Sequence, residues 1–284
     1  MEKIHAVFIG GLTNGKIVYE YLKSNKFVDL VLAITYTDDY TGARFIQFEN
    51  ADTIFKVGTV KNHIDFIKDL KPDVIFVAGW SELIPEEILN IPPMGVIGFH
   101  PARLPNDRGR SVIAWQIEDG YTETALTMFK YSVYPDGGDI LAQERIAIEE
   151  TDYINDVLDK IDNATYNIMK AYFPLLRQGL LVGNKQDLSQ GNFRRLRGEK
   201  DSVINWNSPA KLIYNKIRAI SHPYPGAFTE LNKKRLRIWR SEILSDFSLF
   251  QNAKCGTLVA TCCDNSLIVK ARDGYIRITE YEEL

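Results

Sequence analysis

The sequence predicts an α/β protein, a doubly wound parallel sheet followed by a small β-rich, barrel-like domain. Three observations carry this expectation. An apolar run, Ile4–Ile9, passes through Gly10-Gly11-Leu12-Thr13-Asn14-Gly15 into a helix-like stretch over 16–23. Two further apolar runs, 73–78 and 95–99, each precede a loop and a helix-like segment, the order that parallel strands with crossover helices require. After Asn205 the helical period gives way to short alternating runs, the signature of small antiparallel sheets. We place the domains at 1–200 and 201–284 on this basis.

Bulk properties narrow the function classes. The 284 residues are 45% hydrophobic and 25% charged, enough for a sizeable core, and the net charge of −3 offers no general attraction for nucleic acid. Cys255, Cys262 and Cys263 are odd in number and lack the C-x-x-C spacing of a zinc site, so we expect reduced thiols, no structural metal and a cytoplasmic setting. No apolar run approaches membrane-spanning length.

The first glycine loop follows a strand and opens a helix, which invites a dinucleotide site. Its glycines miss the G-x-G-x-x-G spacing, and no acidic residue ends the second strand, 29–34, so no NAD is expected. Gly11 is instead expected to line a substrate crevice. Residues 37–50 read as a surface loop. Asn62 is expected to cap a helix to Asp69 whose Ile64, Phe66, Ile67 and Leu70 face the core, and Pro72 ends it. Strand 73–78 leads to Trp80, which either stacks on a flat ligand or joins the core, and a short helix begins near Pro85.

The organising stretch is Gly98-Phe99-His100-Pro101-Ala102-Arg103-Leu104-Pro105, running on to Arg108-Gly109-Arg110. It puts His100 at a strand end, where open α/β sheets bind ligands, with arginines as fixed cations for a carboxylate or phosphate. Tyr134-Pro135-Asp136-Gly137-Gly138-Asp139 follows a strand-like run over 124–131, so its carboxylates are expected at the same sheet end as His100, 36 residues earlier. Alone, His100 reads equally as a loop histidine bonded to backbone, and Asp136-Gly137-Gly138 as a turn. A helix spans 152–178, where Pro174 should kink or interrupt the end. Residues 179–198, with Arg194, Arg195 and Arg197, read as a solvated linker rather than a phosphate-binding loop. Ser208 and Pro209 start a last helix, and five strands follow with hairpin turns at Asn232-Lys233 and Asp273-Gly274.

In combination these motifs resemble the folate-dependent formyltransferases, which share an Asn-x-His, a Ser-Leu-Leu-Pro loop with Arg-Gly, and an Asp-x-Gly-Asp-Ile about as far downstream. Pro72-Asp73-Val74-Ile75, Leu83-Ile84-Pro85, Ile204-Asn205-Trp206, Arg218 and Pro223–Phe228 extend the likeness over nearly the whole chain. The resemblance implies a Rossmann-like catalytic domain, 10-formyltetrahydrofolate as co-substrate and a primary amine as acceptor. It implies His100 as base with Asp136 orienting its ring and organising the folate. The pterin would lie against Glu82, Leu83, Ile84 and the run Ser132, Val133, Tyr134, Pro135 and Asp136, flanked by Ala102, Arg103, Leu104, Pro105 and Arg110.

Two positions depart from the family pattern: Gly98 stands where the asparagine belongs and Ala102 where the serine belongs. The asparagine amide normally serves the oxyanion. We therefore expect a vacant space at Gly98 that a water or a neighbouring N–H fills, with Asn106 as a weaker substitute, and a Gly98→Asn variant that folds. Three readings follow: a formyltransferase for a nucleotide-linked amino sugar, one for initiator methionyl-tRNA, and a non-catalytic folate- or nucleotide-binding homologue. The acidic end, Glu280-Tyr281-Glu282-Glu283-Leu284, favours the small acceptor over nucleic acid. No membrane partner is expected, and a homodimer through the C-terminal strands is left open.

Overall fold

The computed structural model describes residues 3–42, 44–46, 48, 54–244, 250 and 252–284, so the expected loop over 37–50 falls partly outside the described residues. Two compact units interleave along the sequence. The first comprises 1–109, 124–146 and 159–193, and the second 110–123, 147–158 and 194–284.

The first unit is built on β1 (Ile4–Gly10), α1 (Thr13–Ser24), β2 (Val28–Tyr36), β3 (Ile54–Val57), α2 (Ile64–Asp69), β4 (Val74–Ala78), α3 (Glu86–Leu89) and β5 (Val96–His100). A two-residue β6 (Arg108–Gly109) follows, and after α4 (Val112–Glu118), which belongs to the second unit, come β7 (Glu123–Lys130), β8 (Ile140–Ala147) and α5 (Ile154–Arg177), whose residues up to Leu158 fall in the second unit. The sheet order is β3-β2-β1-β4-β5-β7-β8. Strands β3, β2, β1, β4 and β5 are parallel and β7 runs antiparallel to β5, making a mixed Rossmann-like sheet.

Both faces of the parallel strands are covered, which is why they read as continuous apolar runs rather than alternating ones. Val7, Ile9, Ile34, Ile75 and Val77 join Ile67 and Ile88 in one core cluster. On neighbouring positions Phe8 packs on Tyr19 of α1 and Phe76 on Phe173 of α5, with centroids 5.8 and 6.1 Å apart. The glycine loop serves this packing: a Cβ on Gly10 would sit 2.0 Å from the Ala78 carbonyl oxygen.

Several local expectations change. Thr59, not Asn62, caps the turn before α2, accepting from the Lys61 N–H. Phe66 faces outward at 40% exposure and stacks on Phe55 rather than joining the core. Pro174 lies in the last turn of α5, where little helix remains to be disrupted, and the helix continues to Arg177.

The second unit carries β9 (Phe193–Arg194), α6 (Ala210–Ala219), β10 (Ala227–Leu231), β11 (Lys234–Leu244), β12 (Leu258–Thr261), β13 (Leu267–Lys270) and β14 (Tyr275–Glu283). The last five strands form an antiparallel sheet, β10-β11-β14-β13-β12. Asn232 and Lys233 both take positive φ, as a two-residue hairpin needs. The cap of α6 differs from expectation: the Asp273 carboxylate accepts from the Ala210 N–H at 2.7 Å, a role assigned to Ser208 on sequence grounds.

Candidate active site

His100 is the last residue of β5 and only 6% exposed. Its Nε2 lies 2.8 Å from the Asp107 carbonyl oxygen. A carbonyl only accepts, so Nε2 carries the proton and donates, and in the neutral ring Nδ1 is the basic nitrogen. Nδ1 faces the Asp136 carboxylate at 3.6 Å. The backbone of Asp107 therefore orients the ring, a task assigned to Asp136 on sequence grounds, while Asp136 sits beside the nitrogen that can take up a proton.

The route of Asp136 to this position also differs from expectation. Because β7 is antiparallel, Lys130 lies opposite Ile97 and Thr127 opposite His100, so β7 ends at the far end of β5 from the histidine. Three residues of strand span about 10 Å, and the loop after β7 must run back over that length. Asp136 is held there in a left-handed conformation, φ 53°, and its second carboxylate oxygen accepts from the Gly109 N–H at 2.8 Å. The Gln186 amide donates to the carbonyls of Asp136 and Gly138 at 2.8 and 2.6 Å.

The loop after His100 is built with equal care. Ala102 is fully buried, and its carbonyl accepts from the Thr127 hydroxyl at 2.5 Å. The Leu104 carbonyl accepts from the Gln143 amide at 2.9 Å. Asp107, 1% exposed, is gripped at two points by Asn192, whose amide oxygen accepts from the Asp107 N–H at 2.7 Å and whose NH₂ donates to its carboxylate at 2.8 Å. Arg108 donates to the carbonyls of Leu188 and Gln190. The first part of the segment read as a solvated linker is thus a strap under the site loops. The rest, from Arg194 on, is tied within the second unit through Arg195 to Asp201 and Arg197 to Glu118.

The other candidate residues divide between the units. Glu82 spends its carboxylate on the Val60 N–H and the Thr59 hydroxyl, leaving Leu83 69% exposed and Ile84 buried. In the loop of Asp136, the Ser132 hydroxyl donates to the Tyr134 carbonyl and accepts from its N–H. Val133 and Tyr134 stay open at 59% and 62%, and Pro135 is exposed too. Arg103 is exposed and Pro105 half-buried beside it. Trp80 is half-buried with one face stacked on Tyr36 at 4.1 Å, and Gly11 lies against the same Tyr36 ring. Arg110 belongs to the second unit, its N–H donating to the Arg194 carbonyl.

Gly98 is not beside an empty space. A Cβ built there would lie 1.8 Å from Cε1 and 2.8 Å from Cζ of Tyr131, so the tyrosine ring already occupies the volume expected to hold a water. Burial pushes the Tyr131 phenol well up from its ordinary range, with the Asp136 carboxylate and Tyr36 adding to the rise.

Residues 3–172 match the formyl transferase family and residues 198–283 its C-terminal domain. The chain belongs to the formyl transferase family. This formyl transferase is 34% identical over 247 residues to a methionyl-tRNA formyltransferase of Caldanaerobacter subterraneus subsp. tengcongensis, covering 86% of the chain and 78% of that relative. Its fold is shared with an N-formyltransferase from Helicobacter canadensis solved with folinic acid and dTDP-3-aminofucose, at TM-score 0.73 and 17% identity over 99% of this chain and 100% of that one. HypX from Aquifex aeolicus, solved with tetrahydrofolic acid, aligns at TM-score 0.71 and 16% identity over 99% of this chain, which spans 44% of that longer protein. Among the described residues no His, Cys, Asp and Glu cluster could hold a metal ion, and no helix is long and apolar enough to cross a membrane.

Asp107, Asn192, Gln186, Thr127, Gln143 and Tyr131 all went unread in the sequence. Asn192 lies 85 residues from the carboxylate it holds, a separation over which one sequence carries no pairing signal. Tyr131 left a trace. A glycine two residues before the histidine on a buried strand points to a bulky neighbour on the same face, and the aromatic at the end of β7 supplies it.

Proposed function

We propose that this chain moves a formyl group from 10-formyltetrahydrofolate to the primary amine of a nucleotide-linked amino deoxysugar. The amine nitrogen attacks the formyl carbon, and the carbonyl pair moves onto oxygen. Nδ1 of His100 takes the proton that the amine loses, and the Asp136 carboxylate at 3.6 Å stabilises the imidazolium. Collapse of the tetrahedral carbon breaks its bond to N10, which recovers the proton as tetrahydrofolate leaves. The exposed apolar side chains of Leu83, Val133 and Tyr134 suit a flat pterin whose polar edge meets loop backbone. On this reading Glu82 to Ile84, Ser132 to Asp136 and Ala102 to Pro105 contact the folate, and Gly11 and Trp80 lie toward the acceptor.

The observation that carries the small acceptor over tRNA is the charge pairing of the C-terminal sheet. The cations of β11 face the acids of β14: Lys234 pairs with Glu283, Arg237 with Glu282 and Arg240 with Glu280. Arg277 of β14 in turn meets Glu242 and Asp264. Cations already neutralised by neighbours on the sheet release few counterions on meeting phosphate, and counterion release is the main source of affinity for nucleic acid. The methionyl-tRNA reading keeps support from the 34% identity with a relative of that activity.

The deciding experiment incubates the full chain with 10-formyltetrahydrofolate and either a panel of nucleotide-linked amino sugars or initiator methionyl-tRNA. A formyl mass gain on a sugar amine is the expected result. Formylation of the aminoacyl-tRNA alone would replace the proposal with the tRNA reading.

A further inference from the structure

Gly98 and His100 stand two apart on β5 and so project to the same face of the sheet. On that face the Tyr131 ring fills the position a side chain at 98 would take, with its Cζ 2.8 Å from the missing Cβ and the phenol oxygen one bond further. An asparagine amide also hangs about two bonds beyond its Cβ, so the phenol carries a donor into the same neighbourhood. Asp136 is close enough to the phenol to act on it electrostatically. Tyr131, His100 and Asp136 therefore border one spot. Burial, the Asp136 carboxylate and Tyr36 act on the phenol, with no hydrogen bond among the causes of its upward shift, so its donor is available to a ligand.

We infer that the Tyr131 hydroxyl donates the hydrogen bond that stabilises the tetrahedral oxyanion of formyl transfer, in place of the side chain that Gly98 lacks. The inference rests on the formyl-transfer reading but on neither acceptor. As the amine attacks, the carbonyl pair becomes an oxyanion lone pair directed at the phenol proton. The phenol keeps its proton throughout: it polarises the carbonyl without ionising, while His100 handles the amine proton. Burial supports this division, because a phenol whose ionisation is pushed upward stays a donor over the whole working range. A preorganised donor at the developing charge accelerates the step only if it is stronger toward the transition state than toward the substrate, which a neutral hydroxyl aimed at the oxyanion satisfies.

The test is Tyr131→Phe, which keeps the ring over Gly98 and removes only the donor. Turnover is expected to fall about 10² to 10³-fold, the cost of deleting one oxyanion donor. The affinity for tetrahydrofolate should be unchanged, because that product has no formyl oxygen. Binding of a 10-formyl folate analogue with carbon in place of N10, an untransferable aldehyde that presents a tetrahedral hydrate, should weaken by a similar factor. This second readout needs no acceptor, so it judges Tyr131 even if the assay panel holds no substrate. A Tyr131→Phe enzyme within about threefold of wild type, or equal analogue affinity in both proteins, overturns the inference and leaves formyl transfer standing. A structural role for the hydroxyl would instead lower tetrahydrofolate affinity and thermal stability together, and that result also overturns it. The pair Tyr131→Ala and Tyr131→Ala with Gly98→Asn gives an independent check. The double variant, which restores an amide where the ring was removed, should recover at least about tenfold over Tyr131→Ala.

Discussion

Nε2 of His100 donates to the Asp107 carbonyl while Nδ1 of the same ring faces Asp136. One nitrogen is committed to holding the ring and the other is available for a proton. His100→Asn removes the base, and Asp136→Asn removes the anion beside it while keeping an acceptor for the Gly109 N–H. Both should cut turnover by about 10² to 10⁴ with the fold retained. Near-normal turnover in either variant removes that residue from the mechanism.

Asn192 grips Asp107, which in turn aims the histidine. Asn192→Leu takes away the acceptor of the buried Asp107 N–H and one donor to its carboxylate, and a buried donor left without its partner costs about 1–3 kcal/mol. The expected signature is a lower Tm and a fall in kcat that exceeds any change in the KM for folate. A variant with lowered Tm and unaltered kcat would show that the strap holds the fold without aiming the ring.

Gly98→Asn, expected from sequence alone to be tolerated, should instead displace the Tyr131 ring, because its Cβ would meet Cε1 at 1.8 Å. Overpacking of this kind costs about 1–3 kcal/mol. Thermal melts of Gly98→Ala and Gly98→Asn measure it, and wild-type stability in both would mean that the ring moves aside freely.

Acid stability offers a check on the C-terminal sheet. The Asp264 carboxyl is held down to about 2, first by the Ser266 hydroxyl, then by the Ser266 N–H and by Arg277. A carboxyl depressed in the folded state stabilises above its unfolded pKa, about 3.9, and that contribution is lost as pH falls toward the folded value. The Tm deficit of Asp264→Asn should therefore be present near neutral pH and shrink between about pH 4 and pH 2. A deficit independent of pH would assign the effect to hydrogen bonding alone.

The parallel strands were legible because both their faces are buried, which writes apolar runs into 6–9, 74–78 and 95–99. The loop of His100 and that of Asp136 were legible because prolines and glycines punctuate them. What escaped was the direction of β7, since a strand's residues do not encode which way its neighbour runs. The strap over 179–193 escaped for a related reason. Its work is done by side-chain amides bonding to a loop carbonyl and to the Asp107 carboxylate, and polar residues outside any periodic pattern look the same whether they meet solvent or a loop.

The interleaving of the two units bears on modularity. The second unit draws on 110–123 and 147–158, and α4, within the first of these, packs against α6. A fragment starting at residue 201 would thus carry the five-stranded sheet and α6 without α4, and would strip the Asn215 amide and the Lys216 ammonium of the Glu118 groups they meet in the whole chain. The second unit is not a cassette that recombination can exchange at a single junction. A graft of that unit has to move three separate stretches together.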